Sequence, residues 1–171
     1  TPVATFRDPR FPPTELAMHW SVPPHPAPRD TPWIASIVDA LLCVARASSD
    51  DHFVASVDSA LQVKKLAPAA LPLLFSVAPS HIRALAPLVD ASAQSGLETI
   101  ARLRLRRRGH RVQTQVGIPG IAKSGGVGYV DLMIDGWLAI ELDGDEFHDP
   151  KFDRWRNGVL VRGGFRIHRF G

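Results

Sequence analysis

The feature that most restricts the fold of this chain is a pair of apolar runs on either side of Asp135-Gly136. The runs are Tyr129–Ile134 and Trp137–Leu142, and an Asp-Gly pair between such runs is a strong signal for a β-hairpin. Within and just after these runs stand three acids: Asp131, Glu141 and Asp143. Because an unpaired carboxylate is costly to bury, the stretch predicts a hairpin whose acids share a compensating charge, most simply a divalent cation.

The register of the hairpin decides whether its acids can converge. A two-residue loop would pair Asp131 with Ile140 and turn Asp131 and Glu141 to opposite faces of the sheet. A three-residue loop with a bulge would set Asp131 opposite Glu141, and Asp143 would follow on the same face. A metal site at this hairpin therefore requires an odd loop or a bulge.

The composition favours an ordinary globular protein. The 171 residues carry a net charge of +3, with the surplus of Lys and Arg in residues 91–171. No apolar run is long enough to span a membrane or resembles a signal peptide, and the single Cys43 cannot form an internal disulfide, so we expect a cytoplasmic protein. Cys43 itself is predicted to be a small core residue. The chain begins with Thr1 rather than Met, and we expect either a fragment of a longer protein or a trimmed chain.

Residues 1–90 are predicted to be a Pro-rich extended segment followed by a helical scaffold. Nine of the 15 prolines lie within residues 1–32, which excludes helix and central strand there. Helical spacing follows from Ile34, Asp50 or Asp51 is expected to cap a second helix, and two short helices are expected at about 67–75 and 79–88. No cluster of His, Cys or acids at metal-ligand spacing appears in this half. We therefore expect a second domain, residues 91–171, to carry the chemistry.

A helix is predicted after Ser95, because Ser95 and Glu98 form a capping box and Gly109 follows the last apolar residue. Glu98 is thus explained by capping alone. The end of this helix and the start of the next strand form a basic corner: Arg106, Arg107, Arg108 and Arg111. These arginines either match the helix dipole or bind the phosphates of a nucleic acid.

The elements around the hairpin follow from periodicity. Residues 111–118 alternate as a half-exposed strand with Val112, Thr114 and Val116 on one face. Asp149-Pro150 starts a helix with Arg156 on its outer side, and residues 165–170 alternate as a last strand. From Ser95 onward the predicted order is helix, three strands, helix, strand, which gives an α+β fold with a mixed sheet flanked by helices.

This order, together with its motifs, resembles the restriction-endonuclease-like (PD-(D/E)xK) nucleases. The motifs are Ser-x-x-Glu on the first helix, Val-Asp-Leu on the second strand, Glu-Leu-Asp-Gly-x-x-Phe-His on the third and Gly-Phe-Arg-Ile-x-Arg-Phe on the last. The chain is most similar to an uncharacterised bacterial branch related to the very-short-patch repair endonuclease. Asp58–Leu61 also resembles the helical region that precedes the domain in such proteins, some of them antitoxin-like.

The resemblance implies a metal-dependent endonuclease acting on DNA in repair, restriction or defence. Asp131, Glu141 and Asp143 would hold Mg²⁺, or Mn²⁺ in its place, and Glu98 would add an acid from the first helix. His148 would shuttle a proton; the alternative is a helix-start His that only packs beside Phe147. The resemblance leaves open whether the substrate is DNA or RNA, and whether the protein forms a homodimer or binds a partner protein; it implies no membrane.

The sequence departs from the family pattern at Asp143, which stands where the motif has Lys. An arginine, Gln115 or a second metal ion held by Asp143 would have to replace that cation. Two other functions therefore stay open. One is a nucleic-acid-binding or antitoxin-like regulator that keeps the fold without turnover. The other is a glycoside hydrolase using Asp131 and Glu141 as acid and base, although the chain offers arginines where an aromatic sugar platform would be expected.

Overall fold

The computed structural model describes residues 3–6, 14–17, 35–142 and 150–170 of the chain. Helices in this part are α1 (Ile37–Ala47), α2 (Asp50–Gln62), α3 (Leu71–Val77), α4 (Ser80–Arg83), α5 (Gly96–Arg107) and α6 (Pro150–Arg162), with 3₁₀ turns at Pro68–Ala70 and Ala86–Leu88. The strands are β1 (Val3–Phe6), β2 (Thr14–Ala17), β3 (Val112–Pro119), β4 (Val127–Ile134), β5 (Leu138–Leu142) and β6 (Arg166–Phe170).

The described elements confirm the predicted α+β class. Four strands form one sheet in the order β3-β4-β5-β6, while β1 and β2 form a separate antiparallel pair. The pairs β3–β4 and β4–β5 are antiparallel, and β5–β6 is parallel with α6 between the two strands in sequence. From α5 onward the order is helix, three strands, helix, strand, as the periodicity predicted.

Helices α1 to α4, together with Leu103 of α5, enclose an apolar core. Ser36 and Ser49 cap α1 and α2, each accepting a hydrogen bond from a backbone N–H of the first turn. The second cap is therefore Ser49 rather than the predicted Asp50 or Asp51. Phe53 and Leu74 are among the fully buried residues of this core. Cys43 was expected inside it, but it faces solvent on the outer side of α1.

A buried ionic network joins this helical half to α5. Arg102 of α5 is fully buried and donates to Asp58 of α2 at 2.8 Å and to the carbonyl oxygen of Leu88 at 2.8 Å. Asp58 also accepts from Thr99 at 2.9 Å and from the backbone N–H of Asp90 at 2.8 Å. Since isolated buried charges are strongly disfavoured, these contacts fix α2, α5 and the segment between them as one packed unit.

The hairpin between β4 and β5 has the odd loop that a shared acidic face requires. Ile134 pairs with Leu138, so three residues, Asp135, Gly136 and Trp137, form the loop. Asp135 and Gly136 have φ values of 52° and 80°, in the left-handed region that Asp and Gly tolerate best. Continued beyond the last backbone pair, Leu132 with Ile140, this register sets Asp131 opposite Glu141.

Each face of the sheet packs against a separate apolar core. At Gln115 in β3 and Asp131 in β4, the alternation of side chains between the two faces is interrupted. Val112 and Leu132 pack in the core beneath α5, whereas Val116 and Val130 pack in the core beneath α6. The ladder between β3 and β4 keeps one register on both sides, but Gln115 and Asp131 are not paired within it. Gln115 has φ 51°. The regular alternation predicted for β3 is therefore wrong beyond Thr114.

Candidate functional site

At this interruption of the strands, two of the predicted acids accept hydrogen bonds from one amide group. Gln115 donates through Nε2 to Oε2 of Glu98 at 3.0 Å and to Oδ1 of Asp131 at 3.2 Å. Glu98 is only 3% exposed, and Asp131 is partly buried. Within residues 35–142 and 150–170, neither carboxylate forms an ion pair with Lys or Arg. We call Glu98, Gln115 and Asp131 the acid pair site.

Further hydrogen bonds hold these three side chains in place. The other oxygen of Asp131, Oδ2, accepts from the backbone N–H of Leu142 at 2.7 Å. Oε2 of Glu98 also accepts from the backbone N–H of Gln94 at 3.1 Å. The Gln94 side chain donates to Oε1 of Gln115 at 3.1 Å, which fixes the amide of Gln115 with its nitrogen toward the acids. The site is therefore fixed from α5, β3, β4 and β5 together.

The buried network of the helical half binds the residues next to Glu98 and Gln115 of the acid pair site. Asp58 accepts from Thr99, the neighbour of Glu98, and Asp90 accepts from Thr114, the neighbour of Gln115, at 2.9 Å. Burial alone would raise the pKa of Asp90, but hydrogen bonds from Ser92 and Thr114 and the charge of Arg102 hold that pKa below its usual value. The helical half thus fixes the two elements that supply Glu98 and Gln115.

The third predicted acid, Glu141, is bound by two arginines. Oε1 of Glu141 lies 2.7 Å from Arg156 of α6, and Oε2 lies 2.7 Å from Arg169 of β6. Arg169 also binds Asp153 at 3.0 Å, and Arg156 also donates to the carbonyl oxygen of Tyr129. The prediction that Arg156 points outward is wrong. The helical period does not distinguish a solvated arginine from one that reaches a buried acid.

The other predicted site residues are placed as follows. Asp143 and His148 lie in residues 143–149, outside the described part of the chain. Among the residues described, no group of three or more His, Cys, Asp and Glu side chains is placed to hold a metal ion. The structure thus brings Glu98 and Asp131 together through Gln115, and it places Glu141 with the two arginines.

The basic corner divides into engaged and solvent-exposed arginines. Arg106 donates to the carbonyl oxygen of Val112 at 2.8 Å. Arg107 forms a bidentate pair with Asp51, with nitrogen to oxygen distances of 2.5 and 3.0 Å, and this hydrogen bonding raises the pKa of Arg107. Arg108 and Arg111 are exposed, and neither forms an ion pair within the described part of the chain. These two are therefore the best placed of the four to bind phosphates.

Replacing Arg108 and Arg111 together with Gln is expected to weaken binding of a duplex oligonucleotide and to flatten its salt dependence. Each lost phosphate contact lowers the slope of log K against log salt concentration by about one unit, so the pair should lower it by about two. Fluorescence anisotropy over a series of NaCl concentrations measures both quantities.

The matched control is Arg107→Gln, because Asp51 already engages that guanidinium. This variant should change the slope by much less than one unit. An unchanged slope in the double variant would leave Arg108 and Arg111 as cations that only complement the dipole of α5.

Comparison of the sequence with known protein families finds no match, and the searches of curated proteins and of solved structures find none either. In the part of the chain that the structure describes, no helix has the length and apolarity to cross a membrane.

Proposed function

We propose that the protein is a metal-dependent nuclease that hydrolyses phosphodiester bonds in DNA. The observation that carries this proposal is the acid pair site, where Glu98 and Asp131 accept hydrogen bonds from the same amide nitrogen of Gln115. Two carboxylates that converge on one donor, with no Lys or Arg paired to either in the described residues, favour a further positive charge at that point. The motif resemblance to the PD-(D/E)xK nucleases adds to this argument.

The donors at the site suit a hard divalent cation. Carboxylate oxygens are the ligands that Mg²⁺ takes, whereas the chain has no thiol near them that would favour a softer metal. Asp131 would hold the cation, with Glu98 beside it and with Glu141 and Asp143 as further ligands. A bound Mg²⁺ supplies a Lewis acid that polarises the scissile phosphate and activates water.

The protein's own residues would position the substrate and move protons. Gln115 is held by Gln94 and by both acids, so its amide would be a fixed group beside the reacting phosphate. Arg108 and Arg111 would bind phosphates further along the nucleic acid. We retain His148 as the candidate proton shuttle, since an imidazole titrates near neutral pH.

Cleavage assays on the whole chain test the proposal directly. Plasmid, single-stranded and mismatched DNA are each incubated with Mg²⁺, with Mn²⁺ and with EDTA. We expect cleavage that requires the metal and is abolished by Asp131→Asn, because one ligand and one negative charge are lost together. The control is Asp135→Asn on the same hairpin, which should cleave like the parent. Cleavage that persists in EDTA or in Asp131→Asn would contradict the proposal.

A second candidate function is a nucleic-acid-binding protein without turnover. The observation that favours it is the pairing of Glu141 with Arg156 and Arg169, which already neutralises one of the predicted metal ligands. Such a protein would bind the same DNA with the same salt dependence and would show no cleavage with either metal. The two assays together separate these functions.

A further inference from the structure

Arg156 and Arg169 are arranged like an anion-binding site, and the anion that they bind is the Glu141 carboxylate. Glu141 lies on β5 directly beside Arg169 of the parallel strand β6, and Arg156 reaches it from α6. Each carboxylate oxygen is 2.7 Å from a different guanidinium. Planar guanidinium groups bind phosphate oxygens in the same manner as carboxylate oxygens.

The two arginines are more exposed to solvent than the acid they bind. The Glu141 side chain is 2% exposed, while those of Arg156 and Arg169 are 17% and 22% exposed. The two guanidinium groups are therefore partly open to solvent, whereas the carboxylate is almost wholly buried. An incoming anion meets the guanidinium groups before it meets the acid.

Both arginines are held by second contacts. Asp153 binds Arg169 at 3.0 Å, and the carbonyl oxygen of Tyr129 accepts from Arg156. These contacts do not involve Glu141, so the two guanidinium groups keep anchors of their own if the carboxylate leaves. Groups that are held in place before a ligand binds lose less entropy when it does.

We propose that Arg156 and Arg169 are the binding site for a phosphate of the nucleic acid substrate, and that the Glu141 carboxylate occupies this site until the phosphate arrives. The proposal rests on the proposed function, because a released Glu141 is then available as a ligand for the cation. Binding of the phosphodiester and binding of the metal favour each other, since each removes a competitor of the other. The two arginines also supply the positive charge that the motif lysine provides and that Asp143 does not.

Glu141→Gln separates this role from a purely structural one. The neutral side chain no longer competes for the arginines, so we expect the variant to bind an oligonucleotide about tenfold more tightly than the parent in EDTA, in line with a charged hydrogen bond gained. The same oligonucleotide with neutral methylphosphonate linkages should bind the variant and the parent equally. A structural ion pair predicts no gain, so equal or weaker binding of the charged oligonucleotide would overturn the proposal.

A second measurement uses the parent protein and does not depend on the folding of the variant. Magnesium is expected to tighten binding of the charged oligonucleotide by about 5- to 150-fold, the usual range for coupled sites, and to leave binding of the methylphosphonate oligonucleotide unchanged. No difference between the two oligonucleotides would also overturn the proposal. Tighter binding by Glu141→Gln without any cleavage by the parent would instead retain the phosphate site and reject the nuclease.

Discussion

Replacing Arg102 with Met is expected to lower the free energy of unfolding by about 3–5 kcal/mol, the range for breaking a buried ion pair from one side. The guanidinium is fully buried and joins Asp58, the carbonyl oxygen of Leu88 and, at 3.8 Å, Asp90. Met fills most of the volume but leaves Asp58 as an uncompensated buried charge. Thermal unfolding should show a fall in melting temperature of roughly 6–20 °C for a chain of this length.

The control for this prediction is the double variant Arg102→Met with Asp58→Asn. Removing both charges is much less costly than removing one, so the double variant should recover a large part of the loss. If the two single losses simply add, the ion pair does not contribute as the structure implies.

The pH dependence of Arg102→Met has a definite sign. Burial already raises the pKa of Asp58, opposed by hydrogen bonds from Asp90 and Thr99 and by the charge of Arg102. Without the guanidinium this pKa rises further, and the folded state then binds the proton more tightly than the unfolded state. The deficit of the variant should therefore shrink as the pH falls through the raised pKa of Asp58 toward the unfolded value of about 3.9.

The second large effect is expected in the response of the melting temperature to metal. At a concentration about 100 times the dissociation constant, Mg²⁺ or Mn²⁺ should stabilise the parent by about 2.7 kcal/mol, or roughly 5–10 °C. Asp131→Asn should respond far less, because it loses a ligand of the acid pair site. In EDTA the variant should melt no lower than the parent, since it removes one of two carboxylates that face each other across Gln115.

A structural role for Asp131 predicts the opposite pattern. The carboxylate would then serve only as acceptor for Leu142 and Gln115, Asp131→Asn would destabilise the protein by about 1–3 kcal/mol, and metal would have no effect on either protein. Asp135→Asn is the matched control, because Asp135 binds His110 and the Arg111 backbone at the other end of the hairpin. Its response to metal should equal that of the parent.

Local signals predicted the elements well, because each depends on neighbours in sequence. Ser95 caps α5 and accepts from the backbone N–H of Glu98 at 3.1 Å, as its spacing predicted. Asp135-Gly136 marked the hairpin, and the odd loop was one of two registers that the sequence allowed. The register itself could not be chosen from the sequence, because both loops place apolar residues in strands of the same length.

Contacts between distant residues could not be predicted. The contact from Arg102 to Asp58 joins residues 44 positions apart, and no local pattern indicates such a pair. Arg156 was predicted to lie on the outer side of its helix, and the acid that it binds lies on another element. The helical half was predicted to be a scaffold without chemistry, and the sequence did not show that its Asp58 and Asp90 hold the residues next to Glu98 and Gln115.

The left-handed backbone at Gln115 determines where its side chain lies. A left-handed conformation is unfavourable by about 1–2 kcal/mol for a residue with a β-carbon, and Gly or Asn would adopt it more readily. Gln115 adopts it at φ 51° and places its side chain among Gln94, Glu98 and Asp131. Neither Gly nor Asn could replace it, because glycine has no amide and asparagine is one methylene shorter. The unfavourable backbone conformation at this residue is thus tied to a side chain long enough to contact both acids.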